Sequence, residues 1–481
     1  MFPGWASSAI WYSVYPLGAC GAPIWQEAEP GVQHRLGRLE GWLDNVVSLG
    51  ANGLALGPIW RSSTHGYDIV NHDEIDPRLG DDADFDKLVQ ACHQRGLRVL
   101  LDGVFNHVST AHPDVEAARR DGIDSPAGRL FRHDSGQADG LARFEGHDGL
   151  VEYDHSNPAV ADRVVGTMTR WLRRGADGWR LDAAYRVPRA FWADVIARVD
   201  GEFPQALTVA EVLHGDYARF AADTGIDSVT QYELWKALWS ALKDNNPHEL
   251  SWTLQRLAAG LAENADFLPW TFVGNHDVTR IATQVGPRKA VAATALLATL
   301  PGMPAVYYGD EYGLTGLKEE RAGGDDAIRP ELPARLDGWL DGSVGSGVGS
   351  GAGRRDGAGP ADVGGLADDT SRTGSTGIGA AGIDTTGIDA TVSPDGTVSS
   401  AEILRQHQLL FGLRRRHAWL QWADLAIVEQ KHQHLAYRLA ARRAAGSAEE
   451  IASQYLDVSL DTSDGQSSVA ISDSAGVLYR W

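Results

Sequence analysis

Eight short apolar runs, separated by amphipathic stretches of helical length, restrict the fold of this sequence more than any other feature. The runs are Ile10–Leu17, Gly53–Leu56, Arg98–Asp102, Gly178–Asp182, Leu207–Glu211, Ser228–Gln231, Trp270–Gly274 and Ala305–Tyr308. Between them, Leu36–Leu49, Phe85–Arg95, Val160–Arg173, Arg189–Val199, Leu250–Ala262 and Arg288–Leu300 read as helices. Strands buried on both faces and joined by crossover helices form a parallel sheet. Eight such units close into a (β/α)8 TIM barrel, an α/β fold whose chemistry gathers at the C-terminal ends of its strands.

Two stretches interrupt the pattern. The barrel is expected over 1–104 and 158–337, with 105–157, rich in Asp, Gly and His, as an inserted subdomain over its mouth after strand three. Residues 338–400 hold 17 of the 55 glycines and are poor in large apolar side chains, which predicts a flexible Gly/Ser/Thr-rich insertion. The last barrel helix then falls in 401–422, centred on Glu402–Arg415. Over 423–481 short alternating runs (Ala426–Gln430, His434–Leu439, Tyr455–Leu460, Val469–Ser472, Val477–Trp481) and an Asp464-Gly465 turn predict a C-terminal antiparallel β domain.

Composition removes several function classes. A net charge of −21 with no basic run disfavours a nucleic-acid partner. No run approaches the ~20 apolar residues of a membrane span, and the first residues lack a signal-peptide pattern. Cys20 and Cys92 fit neither a disulfide framework nor metal spacing and read as buried thiols. Together these predict a cytoplasmic protein with no membrane partner. Most of the 16 Trp belong in a core, but any left exposed can stack on sugar rings.

Acidic residues end four of the eight runs. Strand three ends Asp102-Gly-Val-Phe-Asn106-His107, strand four Arg180-Leu-Asp182, strand five Glu211, and strand seven Asn275-His276-Asp277. Period two makes Arg180 and Asp182 face the same way. A guanidinium beside Asp182 predicts an ionised nucleophile, and Glu211 one strand over is the candidate proton donor, its pKa raised by neighbouring carboxylates. Any one of these groups alone reads as a structural ion pair. Four converging carboxylates repel one another, and such an arrangement marks a functional site.

With these motifs the chain resembles the α-amylase superfamily of glycoside hydrolases. Asp102–His107 is similar to the first family signature, Gly178–Asp182 to the second, Ala210-Glu211-Val to the third, and Phe272–Asp277 to the fourth, in the family's order. The resemblance implies Asp182 as nucleophile, Glu211 as general acid/base and Asp277 as the third carboxylate, which grips ring hydroxyls. It implies that Arg180, His107 and His276 line the subsite for the cleaved sugar and that Asp102 supports it. His65-Gly-Tyr67-Asp68 resembles the segment whose Tyr stacks on that sugar while its Asp reaches the outer hydroxyls. Asn106 matches a calcium-binding position of many amylases; the other oxygen ligands are not identifiable, so no cofactor is required and calcium is the one candidate metal. Val212-Leu-His214 and Thr230–Trp235 look more like cyclomaltodextrinase and neopullulanase relatives than secreted amylases.

The resulting expectation is a retaining α-glycosidase hydrolysing short linear, branched or cyclic malto-oligosaccharides by double displacement. A glucan transglycosylase or exo-acting α-glucosidase would use the same machinery, and a non-catalytic carbohydrate-binding protein is the remote alternative. The expected partner is a malto-oligosaccharide or cyclic glucan, with a homodimer left open as the assembly.

Overall fold

In the computed structural model, which describes residues 2–25, 30–264, 266–333, 338–340, 398–442 and 454–481, alternate residues of the barrel strands enter two separate apolar clusters. The strands are β1 (Trp11–Val14), β2 (Gly53–Leu56), β3 (Arg98–Gly103), β4 (Gly178–Leu181), β5 (Leu207–Ala210), β6 (Ser228–Val229), β7 (Trp270–Phe272) and β8 (Met303–Tyr307). Trp11, Ala55, Leu100, Val209, Trp270 and Phe272 fill the inside of the sheet. Their neighbours Tyr12, Leu54, Val99, Leu101, Trp179 and Leu181 pack in the larger core cluster. The strands run parallel in the order β6-β5-β4-β3-β2-β1-β8-β7, and a parallel bridge from Thr230 to Trp270 joins the two ends. The sheet therefore closes into a barrel.

The interior is filled tightly. Trp11 stacks on Trp270 with ring centroids 5.3 Å apart. A Cβ at Gly53 would lie 2.3 Å from the Trp11 ring, so only glycine fits beside that indole.

Several element boundaries shift for identifiable reasons. β1 stops at Val14 because Pro16 opens a helical turn, Pro16–Ala19. The helix expected over Leu36–Leu49 is two short ones, Gly37–Glu40 and Leu43–Ser48, with Trp42 between them. Helices Tyr217–Thr224 and Tyr232–Lys243 flank β6, which holds only two residues. Between 105 and 157, strands His107–Ser109 and Leu150–Glu152 pair antiparallel and bring the segment's ends together. An unexpected helix, Pro113–Asp121, sits inside it and buries only Val115 and Ala118.

The expected insertion needs one correction. Trp339 is 3% exposed and packs against Trp42, Tyr308 and Tyr312, so residue 339 belongs to the core rather than to a flexible segment. Residues 341–397 lie outside the described residues. The following helix, Ser400–Arg416, buries Arg414, whose guanidinium donates to the carbonyls of Ala298, Leu300 and Gly302. It thereby ties the helix to the turn entering β8.

The C-terminal sheet is an antiparallel meander of β9 (Asp424–Gln430), β10 (His434–Ala440), β11 (Tyr455–Asp461), β12 (Ser468–Asp473) and β13 (Gly476–Arg480). It docks on the barrel helices through Tyr437 to Thr299 (2.9 Å) and Trp481 to the Arg288 carbonyl (2.9 Å).

Asp227, just before β6 at the end of the barrel away from the carboxylates, supplies a pH test. Its Oδ2 accepts from the Thr208 N–H and hydroxyl, both at 2.9 Å. Burial pushes its pKa up to about 6; the Thr208 bonds oppose this and Asp200 adds to it. The unfolded value is about 3.9. Because the folded value is the higher one, the group's contribution is fully present below about pH 4 and is lost as pH rises through 6. Asp227→Asn keeps an acceptor for Thr208 and removes the charge. We expect it to stabilise by about 1–3 kcal/mol at pH 8 and to match wild type near pH 4. Calorimetric melting at both pH values checks this; an equal gain at both would refute it.

Candidate active site

The strand period carries the acidic residues to the barrel mouth. Leu100 and Val209 face inward, so Asp102 and Glu211, two residues further on, do the same one layer higher. Asp102 pairs with Arg180 across β3 and β4. Leu181 and Ala210 form the last pair of β4 and β5, so Asp182 and Glu211 leave adjacent strands side by side.

Arg180 joins all three carboxylates. Its Nη1 donates to Asp102 (2.8 and 3.0 Å) and to Asp182 (2.9 Å), and its Nη2 lies 2.8 Å from Glu211 Oε1. Glu211 also accepts from the Tyr232 hydroxyl (3.1 Å) and the Ala183 N–H (2.8 Å). The last bond requires a left-handed turn at Ala183, with φ 45° and ψ 35°. A non-glycine residue there costs on the order of 1–3 kcal/mol, as strained backbone at functional sites does. Asp182 and Glu211 remain 8% and 7% exposed, within solvent's reach.

The electrostatics differ from the sequence expectation in one respect. Burial pushes the Asp182 carboxyl well above the usual range; Arg180 pulls against this, while Glu211, Asp102 and Asp277 push with it. Arg180 alone was expected to keep Asp182 ionised. It does not offset the burial and the neighbouring carboxylates, because the same guanidinium also holds Asp102 and Glu211.

Asp277 is the most open of the group, its side chain 31% exposed. Burial works against its charge, but His276, Arg329 and Arg180 hold it well below the usual carboxylate range. His276 Nε2 lies 3.0 Å from it and Arg329 Nη2 3.2 Å. Sequence reasoning missed Arg329, which reaches the site from the loop after β8 and lies over the Tyr15 ring at 4.4 Å. A lone Arg between Ile328 and Pro330 carried no signal. It also missed Tyr15, stacked on His276 at 6.2 Å, and the part played by Tyr232, whose hydroxyl takes a bond from Asn275 (2.9 Å).

The remaining expected residues come together around Tyr67. His65–Asp68 forms the turn of a hairpin between Trp60–Ser62 and Ile69–Ile75. Tyr67 donates to Asp102 Oδ2 (2.9 Å), bonds His276 Nε2, and lies parallel to the His276 ring at 5.4 Å. His107 donates from Nε2 to the Tyr67 carbonyl (3.1 Å) and stacks on Phe144 of the inserted segment at 4.4 Å. Burial pushes its pKa down to about 3, so the ring is neutral. Asp68 differs from expectation: its carboxylate closes its own turn on the Thr64 N–H (3.1 Å) and hydroxyl (2.7 Å) instead of facing open space.

The Asn106 amide nitrogen donates to His107 Nδ1 (3.2 Å), and in the inserted segment Asp139 is held by Arg119 and Arg143, both at 2.8 Å. Among the described residues, the group of three acidic or histidine side chains with converging ligand atoms is His34, Asp81 and Asp84, a different part of the chain. There Asp81 and Asp84 already form a helix capping box.

Comparison with known proteins is consistent with this geometry. Residues 32–335 match the family described as Alpha amylase, catalytic domain. An intracellular maltogenic amylase of Bacillus subtilis is 30% identical over 336 residues, 65% of this chain and 57% of its own length. A cyclomaltodextrinase of a Bacillus species is 30% identical over 345 residues, 65% of this chain and 61% of its own length. The chain thus spans about three-fifths of the length of these curated relatives. The solved cyclic α-maltosyl-(1→6)-maltose hydrolase of Arthrobacter globiformis shares the fold, with TM-score 0.71 at 22% identity over 96% of this chain and 92% of that one. Among the described residues, no helix is long and apolar enough to cross a membrane. With its closed barrel, its carboxylates at four strand ends and a family match over more than half its length, this chain belongs to the alpha-amylase family.

Proposed function

We propose that this protein is a retaining α-glycosidase acting on short linear, branched or cyclic malto-oligosaccharides. The observation that carries the reading is the placement of Asp182 and Glu211 at the ends of adjacent strands, both bound to Arg180. Neighbouring strands run ~4.8 Å apart. That suits the roughly 5–5.5 Å separation of a double-displacement site better than the roughly 6.5–9.5 Å of an inverting one.

In the first step an Asp182 oxygen bonds to the anomeric carbon as the bond to the leaving oxygen breaks, and Glu211 passes its proton to that oxygen. In the second, Glu211 takes a proton from water, the water oxygen bonds to the same carbon, and the Asp182 ester is released. The acid must hold a proton while the nucleophile is bare. Among the groups around Asp182, Arg180 is the one that favours the bare form. Tyr67 and His276 offer flat faces to the sugar, and Asp277, kept ionised by Arg329, accepts from ring hydroxyls. The names of the maltogenic amylase and cyclomaltodextrinase relatives support the substrate class. The buried thiols Cys20 and Cys92 and the relative named as intracellular support a cytoplasmic location. A homodimer is the assembly to be checked by sedimentation.

Asp182→Asn should lower turnover of maltohexaose and cyclic glucans by about 1,000-fold or more with an unchanged circular dichroism spectrum. Activity within tenfold of wild type would exclude Asp182 as nucleophile. Proton NMR of the wild-type reaction should show the α-anomer as first product.

Glu211→Gln should slow natural glucans by about 100- to 10,000-fold but a dinitrophenyl α-glucoside, whose leaving group needs no proton, by far less. Equal losses on both would reassign the acid.

The reading routes no step through a metal. Dialysis against EDTA is expected to leave both rate and melting temperature unchanged, whereas a loss restored by calcium would place that ion in the fold.

A further inference from the structure

Two large aromatic side chains stand half or more exposed among the described residues, Trp25 at 50% and Trp252 at 57%, while most tryptophans are buried. Trp252 lies on helix His248–Glu263 and lines a groove of about 470 Å³ with Leu213, Tyr232 and Trp235. Apolar groups exposed together in a groove mark a binding surface more often than singly exposed ones do.

One residue of the groove wall also touches the catalytic pair. Tyr232 spans the two: its hydroxyl bonds Glu211 at 3.1 Å, and its ring meets the Trp235 ring edge-on at 6.1 Å. Leu213, 36% exposed, follows Glu211 by two residues. Glu211, as the acid, faces the oxygen of the departing sugar. What extends from its own segment and from its partner Tyr232 lies on the side of the departing chain.

The charges in the groove select the chemistry of an occupant. Arg256 pairs with Glu233, and Lys236 with Glu249 (2.6 Å), so neither sign is left in excess. Arg256 also sits over the Trp252 ring at 4.8 Å, fixing the indole plane from one side. A flat apolar face inside a rim of paired charges suits a neutral polyol with one apolar ring face, not an ion.

We propose that this groove binds the departing arm of an α-glucan, two or more glucose units beyond the cleaved bond, with Trp252 as its outer stacking platform. The assignment rests on the α-glucanase reading for the identity of the occupant. A groove of this volume is large enough for more than one glucose ring. Trp252 thereby sets chain-length preference without touching the reacting atoms.

The test separates the two readings. In the otherwise unaltered enzyme, Trp252→Ala should reduce kcat/KM for maltohexaose about tenfold relative to its effect on p-nitrophenyl α-glucoside, with Trp252→Phe recovering most of the loss. Equal changes on both substrates, or none, would overturn the assignment. Calorimetric titration of maltohexaose into Asp182→Asn and Asp182→Asn/Trp252→Ala gives a readout without turnover: a roughly tenfold weaker Kd in the double variant is expected, and identical affinity would overturn it. Failure of wild type to cleave any glucan would instead strike the α-glucanase reading and leave the titration decisive for the groove.

Discussion

One guanidinium organises the mouth of this barrel. Arg180 spans Asp102, Asp182 and Glu211 with one guanidinium. Because Asp102 lies opposite Arg180 in the sheet register, the arginine is fixed by backbone hydrogen bonding before any side chain is placed. Taking it away would leave three nearly buried carboxylates uncompensated, a cost of several kcal/mol even after relaxation. Arg329 performs a parallel task for Asp277 from the opposite side. Two cations therefore serve four acids. The remaining negative charge suits a reaction whose transition state resembles an oxocarbenium ion, since fixed charge aimed at developing positive charge needs no reorganisation.

The parts of this arrangement that follow local sequence pattern were legible in the sequence. Short apolar runs located the strands that carry Asp102, Arg180, Asp182 and Glu211, and the motifs at their ends named the acids. Boundaries failed where tertiary context decided them. β6 is two residues long and closes the barrel through a single bridge at Thr230, so no periodic run announces its extent. Pro16 cut β1 short. Trp339 sits among glycines and was assigned by its neighbours in sequence, whereas three aromatic rings distant in sequence claim it for the core.

The site's electrostatics were the least legible part. How far the Asp182 carboxyl is pushed up depends on how one cation is shared and on how deeply the group is buried, and neither quantity is local. Arg329 illustrates the same limit: its partners Asp277 and Tyr15 lie 52 and more than 300 positions away, and no motif marks it. Asp68 shows the converse, a motif residue whose carboxylate is taken up by the turn that carries it.

The two sides of the cleavage point are built on different physics. Around the position proposed for the sugar to be cleaved, Tyr67, His276, Asp102 and Asp277 form a rigid, mostly buried network in which each polar group is fixed by another. Groups so fixed can favour a distorted sugar over a relaxed one, which is what lowers a barrier. On the Glu211 side the groove is lined by aromatic rings from buried Tyr232 out to exposed Trp252, with its charges paired. Contacts of that kind bind a relaxed chain and a reacting one equally well, so in the proposed reading they would govern which substrates are held and for how long, not how fast the bond breaks. On that reading the same strand-end chemistry could serve different glucans as the outer groove changes, because the energy that selects the chain and the energy that breaks it would be drawn from separate sets of side chains.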